Sequence, residues 1–125
     1  MTKRLRSLSP SETEILRLVW DAGQGTVQAI ADRLPENRKI GYATVQTLLR
    51  RLESKGYVRH RLVGKAHVFE PLEGKDKVIQ TAVGSFLQRL FGGDAVPLVM
   101  HLARHRKLTL EDVERLKKII EEEKT

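Results

Sequence analysis

The chain has 125 residues, 40% of them hydrophobic and none of them cysteine, which allows a modest core and excludes disulfides and thiolate metal clusters. No apolar run approaches the roughly 18 residues that a membrane helix needs, and no signal segment follows the basic N-terminus, so we expect a cytoplasmic protein with no membrane partner. The formal net charge is +7, and residues 1–71 hold 13 Lys/Arg against 7 Asp/Glu, which favours a polyanion as the partner of the N-terminal half.

Two helices are predicted before residue 36. Ser9-Pro10-Ser11-Glu12 places a capping serine, a proline at the first helical position and a capping-box glutamate in the order that begins a helix. Apolar residues then recur at helical spacing until Gly23. Thr26 begins a second, shorter helix, which Pro35 stops because proline cannot continue a helix.

A third helix is predicted from about Tyr42 to Lys55, and its two faces differ in chemistry. Its apolar stripe has the spacing i, i+3, i+4 and i+7 and consists of Val45, Leu48, Leu49 and Leu52. The opposite face carries small side chains and hydroxyls near its start and two arginines further on. A helix of this kind fits the major groove of DNA, with its first turns closest to the base edges. The helix residues that we expect to contact DNA are Tyr42, Ala43, Thr44, Gln46, Thr47, Arg50 and Arg51.

The polar residues of this helix suit different parts of a duplex. Thr47 can hydrogen-bond a base or touch a thymine methyl group, and Gln46 can pair with adenine. For Arg50 and Arg51 we expect contact with phosphate rather than base readout. The alternative is a polar surface helix with two solvated arginines, which the helical pattern alone leaves open.

After the third helix the apolar residues change from helical spacing to alternation, and this segment predicts a basic β-hairpin. Tyr57–Val63 alternates and is β-prone, Gly64-Lys65 predicts the turn, and Ala66–Glu70 predicts the second strand. Such a ribbon can lie along a DNA backbone, with His60 and His67 touching phosphate or packing, although exposed strands also carry basic residues to prevent aggregation. The ribbon residues that we expect to contact DNA are Arg59, Arg61 and Lys65.

The chain is predicted to be mainly α-helical with a small β-hairpin wing, and to divide after residue 71. Three helices followed by a hairpin predict a winged helix-turn-helix DNA-binding domain over residues 1–71. Its first basic residues, Lys3, Arg4 and Arg6, predict either a minor-groove arm or a segment without fixed structure. Residues 72–125 predict a region of three amphipathic helices.

The C-terminal helices have wider apolar faces than so short a segment can cover alone. We therefore expect a second copy of the chain to bury these faces by two-fold symmetry, which makes the protein a homodimer. The alternative is that this region folds back on the DNA-binding domain as one larger domain. The residues that we expect at the dimer interface are Val83, Phe86, Leu90, Leu116 and Ile120.

Several segments together resemble the penicillinase repressor family of winged-helix transcriptional repressors, the BlaI/MecI/CopY type. The resemblance rests on Leu8–Glu12, Tyr42–Leu52, Lys55–Val58 and, in the wing, Lys65–Pro71. It implies a homodimeric repressor with a winged-helix head and a three-helix dimerisation tail, which binds a palindromic operator in double-stranded DNA. In known members a regulatory protease cleaves an Asn-Phe bond in the tail. His101-Leu102 stands at that position here, so cleavage control stays open.

Other function classes find less support in the sequence. No GxSxG, HExxH, P-loop or GxGxxG motif is present, so we expect neither an enzyme nor a cofactor site. His101 and His105, at i and i+4, are the basis of one alternative, a histidine-based metal-responsive regulator. Zinc needs about four ligands and the basic residues beside the pair would repel a cation, so we expect no metal site. A winged-helix protein-interaction module is the other alternative, because fold alone does not determine function.

Overall fold

A computed structural model of the chain describes residues 7–105 and 107–123. The predicted basic arm of Lys3, Arg4 and Arg6 lies outside the described residues. In chain order the elements are α1 (Pro10–Ala22), β1 (Gly25–Thr26), α2 (Val27–Ala31), α3 (Tyr42–Ser54), β2 (Val58–Val63), β3 (Ala66–Pro71), α4 (Lys75–Phe91), α5 (Ala95–Arg104) and α6 (Leu110–Glu123).

Helix α1 begins and ends where its sequence predicts. The Ser9 hydroxyl accepts a hydrogen bond from the Glu12 amide at 3.1 Å, and the Ser9 amide donates to the Glu12 carboxylate at 2.8 Å. This reciprocal pair is the predicted capping box, with Pro10 at the first helical position. Gly23, at φ 81°, ends the helix in a backbone conformation that a residue with a side chain rarely adopts.

Residues up to Val78 form the first of two compact units, and its core lies between the first three helices and the sheet. Burying one large apolar side chain stabilises a fold by roughly 1.5–3 kcal/mol, so a cluster of them holds α3 with its apolar stripe inward. The largest fully buried side chains are Ile15, Leu16, Val19, Ile30, Val45, Leu49, Leu52 and Val58.

The sheet consists of the predicted hairpin and one further strand. Strands β2 and β3 pair in antiparallel fashion from Val58 opposite Pro71 to Val63 opposite Ala66, which leaves a two-residue turn. Gly64 adopts φ 64° in this turn, and positive φ values are typical of tight hairpin turns. The prediction missed β1, which pairs with β3, because two residues are too short to show an alternating pattern.

The second compact unit begins at Ile79 and contains the rest of α4 together with α5 and α6. Two caps define its later helices. The Asp94 carboxylate accepts from the Val96 amide at 3.0 Å, and the Thr109 hydroxyl accepts from the Asp112 amide at 3.1 Å. No residue that the structure describes in α5 or α6 is buried. None of the helices in the described ranges is both long and apolar enough to cross a lipid bilayer.

Candidate nucleic-acid interface

Helix α3 separates its apolar and polar side chains as its sequence predicts. Its apolar stripe is in the core, where Val45, Leu49 and Leu52 are 0% exposed. The opposite side, which we call the outer face, is open and consists of Tyr42, Ala43, Thr44, Gln46, Thr47, Arg50 and Arg51. All of these residues are exposed except Gln46, which is half-buried. The described residues of the first unit therefore leave this surface accessible to a ligand.

The outer face carries two positive charges that have no partner among the described residues. Arg50 and Arg51 are both exposed, and within the described part of the chain neither makes an ion pair or a hydrogen bond through its side chain. Their guanidinium groups are fully available to an external anion. A guanidinium group can bind a phosphate through two parallel hydrogen bonds, as it can a carboxylate.

The Thr47 hydroxyl is already engaged within its own helix. It donates to the carbonyl oxygen of Ala43 at 3.0 Å. Because a hydroxyl has one hydrogen, Thr47 is left with its oxygen lone pairs and its methyl group for an external partner. The predicted contact with a thymine methyl is compatible with this geometry. A hydrogen bond to a base would have to be one that Thr47 accepts, unless its side chain rotates.

Backbone amide groups lie at the N-terminal end of α3. Gly41 caps the helix without a side-chain hydrogen bond, and its carbonyl accepts from the amides of Thr44 and Val45, each at 3.1 Å. The first amides of a helix point outward along its axis and lack acceptors within the helix. An anion beside this end gains from these donors and from the helix dipole.

In the wing, one acidic side chain contacts both of the predicted arginines. Glu70 accepts a hydrogen bond from Arg59 at 2.9 Å, and its carboxylate lies 3.8 Å from the Nε of Arg61. Arg61 also donates to Gln24 at 2.8 Å. Lys65, at the hairpin turn, is exposed and makes no such contact with any residue that the structure describes. Counting only partners in the described ranges, the wing therefore offers one unpaired cation and two that are partly neutralised.

The wing histidines pack against neighbouring side chains. His60 Nδ1 lies 2.8 Å from the carboxylate of Glu53 on α3, and the His60 amide donates to the same carboxylate at 2.9 Å. The ring of His60 also stacks on that of His67, with centroids 4.7 Å apart. These contacts join the wing to the last turns of α3, so the two parts of the interface are held together.

A buried ion pair joins the start of α1 to the end of α3. Glu12 is only 2% exposed, and Lys55 Nζ lies 2.6 Å from its carboxylate and 2.9 Å from the carbonyl of Ser7. Burial on its own raises the pKa of Glu12, but the hydrogen bonds from Lys55 and Ser9 bring the pKa below its ordinary value. Burial and the nearby Glu12 charge raise the pKa of Tyr57. The carboxylate is thus charged at neutral pH and holds α3 against α1.

Two histidines lie at the end of α5, His101 within the helix and His105 at its C-terminal cap. His101 and His105 approach with ring centroids 4.3 Å apart. Within residues 7–105 and 107–123, no group of three or more His, Cys, Asp or Glu side chains is arranged to hold a metal ion. Two imidazoles are fewer than the three or four ligands typical of a zinc site.

Comparisons with known proteins bear on the outer face and the wing. The profile of the penicillinase repressor family matches residues 8–122. The chain is similar to the penicillinase repressor of Bacillus licheniformis, with 26% identity over 122 residues that cover 98% of this chain and 95% of the relative.

Two solved structures share the fold. One is monomeric Bacillus licheniformis BlaI in complex with the blaP half-operator, with a TM-score of 0.51 and 24% identity over 60% of this chain and 92% of that chain. The other is a variant of MarR from E. coli, with a TM-score of 0.55 and 17% identity over 95% of this chain and 79% of that chain. These likenesses confirm the predicted winged-helix fold.

Proposed function

Because the chain belongs to the penicillinase repressor family, it is a DNA-binding transcriptional repressor, and we propose that two copies bind a palindromic operator. Each copy would insert the outer face of α3 into the major groove and lay its wing along the backbone. The observation that carries this proposal is the outer face itself, which is open and holds two arginines without partners among the described residues.

The proposed contacts divide into those that read sequence and those that position the protein. Gln46 and Thr47 face the base edges, where glutamine pairs with adenine and a threonine methyl packs on thymine. Arg50 and Arg51 bind phosphates, since most protein–DNA hydrogen bonds go to the backbone. Tyr42, Ala43 and Thr44 stand at the first turn of α3, where the small side chains of Ala43 and Thr44 allow a close approach.

The wing supplies further phosphate contacts in this proposal. Lys65 is its free cation, and Arg59 and Arg61 contribute through the guanidinium nitrogens that Glu70 and Gln24 leave available. The BlaI structure is a complex with a half-operator, which supports the same kind of ligand for this chain.

We place the protein in the cytoplasm, because a repressor of bacterial operators acts where the DNA is.

Dimerisation is proposed for residues 72–125, and DNA binding for residues 1–71. The described tail exposes a large apolar surface that a second copy could cover, including Leu90 at 68% and Ile120 at 57%. Exposed apolar patches of this extent mark interaction surfaces. The proposed interface consists of Val83, Phe86, Leu90, Leu116 and Ile120. A two-fold dimer would contact half-sites one helical turn apart, or a multiple of it.

Control by a regulatory protease is not part of this proposal. His101-Leu102 replaces the Asn-Phe pair of the cleaved relatives, and both residues lie within α5. A protease needs an extended segment, so this helix would have to unwind before the bond could be cut.

Selection of bound fragments from genomic DNA tests the proposed function. We expect enrichment of a palindrome whose half-sites are spaced by whole turns of the duplex. A variant with Arg50→Ala and Arg51→Ala, run in parallel, separates enrichment through α3 from non-specific retention. Failure of the unmodified protein to enrich any duplex would overturn the proposal.

A further inference from the structure

A basic concavity lies beside the outer face of α3, on the side away from the wing. It has a volume of about 440 Å³ and is bounded by the start of α1, the segment that precedes α3 and one flank of α3. None of the described residues that line it is acidic. Its polar side chains belong to Ser9, Ser11, Arg38, Lys39, Thr44 and Arg51.

The concavity holds more positive charge than its surroundings neutralise. Arg38 donates to both carboxylate oxygens of Glu14, at 3.0 and 3.1 Å, so this arginine is oriented by an acid outside the concavity. Lys39 and Arg51 are exposed and form no ion pair within the described ranges. The nearby carboxylate of Glu12 is engaged by Lys55. Two cations without a partner in the described part of the chain therefore face a space that is lined by hydroxyl groups.

The position of the concavity on α3 is the second part of the argument. At about 100° per residue, Arg51 lies about 40° to one side of Thr47, and Arg50 lies about 60° to the other side. Glu53, which binds the wing through His60, lies further round on the side of Arg50. The concavity and the wing thus occupy opposite flanks of the outer face.

We propose that the concavity binds a backbone phosphate of the DNA strand opposite to the strand that the wing contacts. A helix in the major groove has one sugar-phosphate backbone on each side, because the groove is only about 12 Å wide. The inference rests on the proposed function and adds Lys39, Arg38 and Ser11 to the interface. The contact reads no bases, so it fixes the orientation of α3 in the groove.

The test compares Lys39→Ala with Arg17→Ala, in the full chain. Both changes remove one exposed positive charge from the first unit, but Arg17 does not line the concavity. Affinity for an operator duplex and for an unrelated duplex is measured by fluorescence anisotropy between 50 and 200 mM salt. Losing one phosphate contact per subunit should weaken both affinities about eightfold for each bound subunit at 0.1 M salt, and it should reduce the salt slope by about 0.9 per subunit, or about 1.8 for two subunits on a palindrome. Arg17→Ala should match the unmodified protein.

A second arm identifies the strand. A series of duplexes is made in which one phosphate at a time, along each strand, is replaced with a neutral methylphosphonate. For each variant we identify the position at which this replacement no longer weakens binding. Lys39→Ala and Lys65→Ala should lose sensitivity on different strands. The inference would be overturned if both variants lost sensitivity on the same strand. It would also be overturned if Lys39→Ala kept the salt slope of an unmodified protein that binds duplex. Absence of binding by the unmodified protein would instead refute the proposed function. Lys39→Gln repeats the test if the alanine variant is unstable.

Discussion

Replacing Arg50 and Arg51 with alanine should make DNA binding less sensitive to salt. Both side chains are exposed and have no partner among the described residues, so their loss leaves no buried charge and opens no cavity. Alanine is the most favourable residue in a helix. The thermal midpoint should therefore stay close to that of the unmodified protein, and any change in binding reports on the interface.

The magnitude follows from counterion release. Each phosphate contact contributes about 0.9 to the slope of log affinity against log salt, so one subunit on a half-site should lose a slope of about 1.8. At 0.1 M salt this corresponds to roughly 60-fold weaker binding. On a full palindrome two subunits contribute, and the slope should fall by about 3.6.

Fluorescence anisotropy with labelled half-site and full-site duplexes measures both slopes. A variant with Arg17→Ala and Arg104→Ala is the matched control, because it removes the same charge from exposed positions that belong to other helices. If the double variant of α3 keeps the slope of the unmodified protein, the two arginines do not bind phosphate. If the control loses the same slope, the effect comes from net charge and not from the outer face.

Three further changes test other parts of the molecule. Thr47→Ala should alter the preferred operator sequence in a selection experiment and leave affinity for unrelated duplex unchanged; an identical preferred sequence would refute its contact with a base. Glu12→Gln should lower the free energy of unfolding by about 1–3 kcal/mol at pH 7, because the hydrogen bonds from Lys55 lose a charged acceptor. Folding lowers the pKa of Glu12, so the stability that its carboxylate contributes is present above the unfolded pKa near 4.5 and is lost as the pH falls through the folded pKa. Urea titrations should therefore show the difference in unfolding free energy between Glu12→Gln and the unmodified protein shrinking below pH 4.5. A constant difference would contradict this. Leu90→Glu should convert a dimer to a monomer in sedimentation experiments, with full-site affinity reduced and half-site affinity kept, and an unchanged dimer would place the interface elsewhere.

Local sequence signals were sufficient for both ends of α1 and for the division of α3 into two faces, whereas α2 ends at Ala31, before the predicted stop at Pro35. The capping box at Ser9 and the glycine at the end of α1 act within a few residues, so a short window contains the whole interaction. Burial along α3 follows from its own period, because one face of a helix must pack on the core. The residues expected on the outer face are accessible for that reason. The interface between two copies stays a prediction.

Contacts between distant parts of the chain required the folded structure. The partners Glu12 and Lys55 are 43 positions apart, and nothing in either neighbourhood indicates the other. The charge of the wing likewise depends on a contact between separate strands. The sequence predicts Glu70 only as the end of a strand, whereas in the fold it accepts a hydrogen bond from Arg59. The basic concavity combines segments that are adjacent only after folding. Periodicity records which side of an element faces the core, whereas the pairing of side chains depends on how separate elements pack.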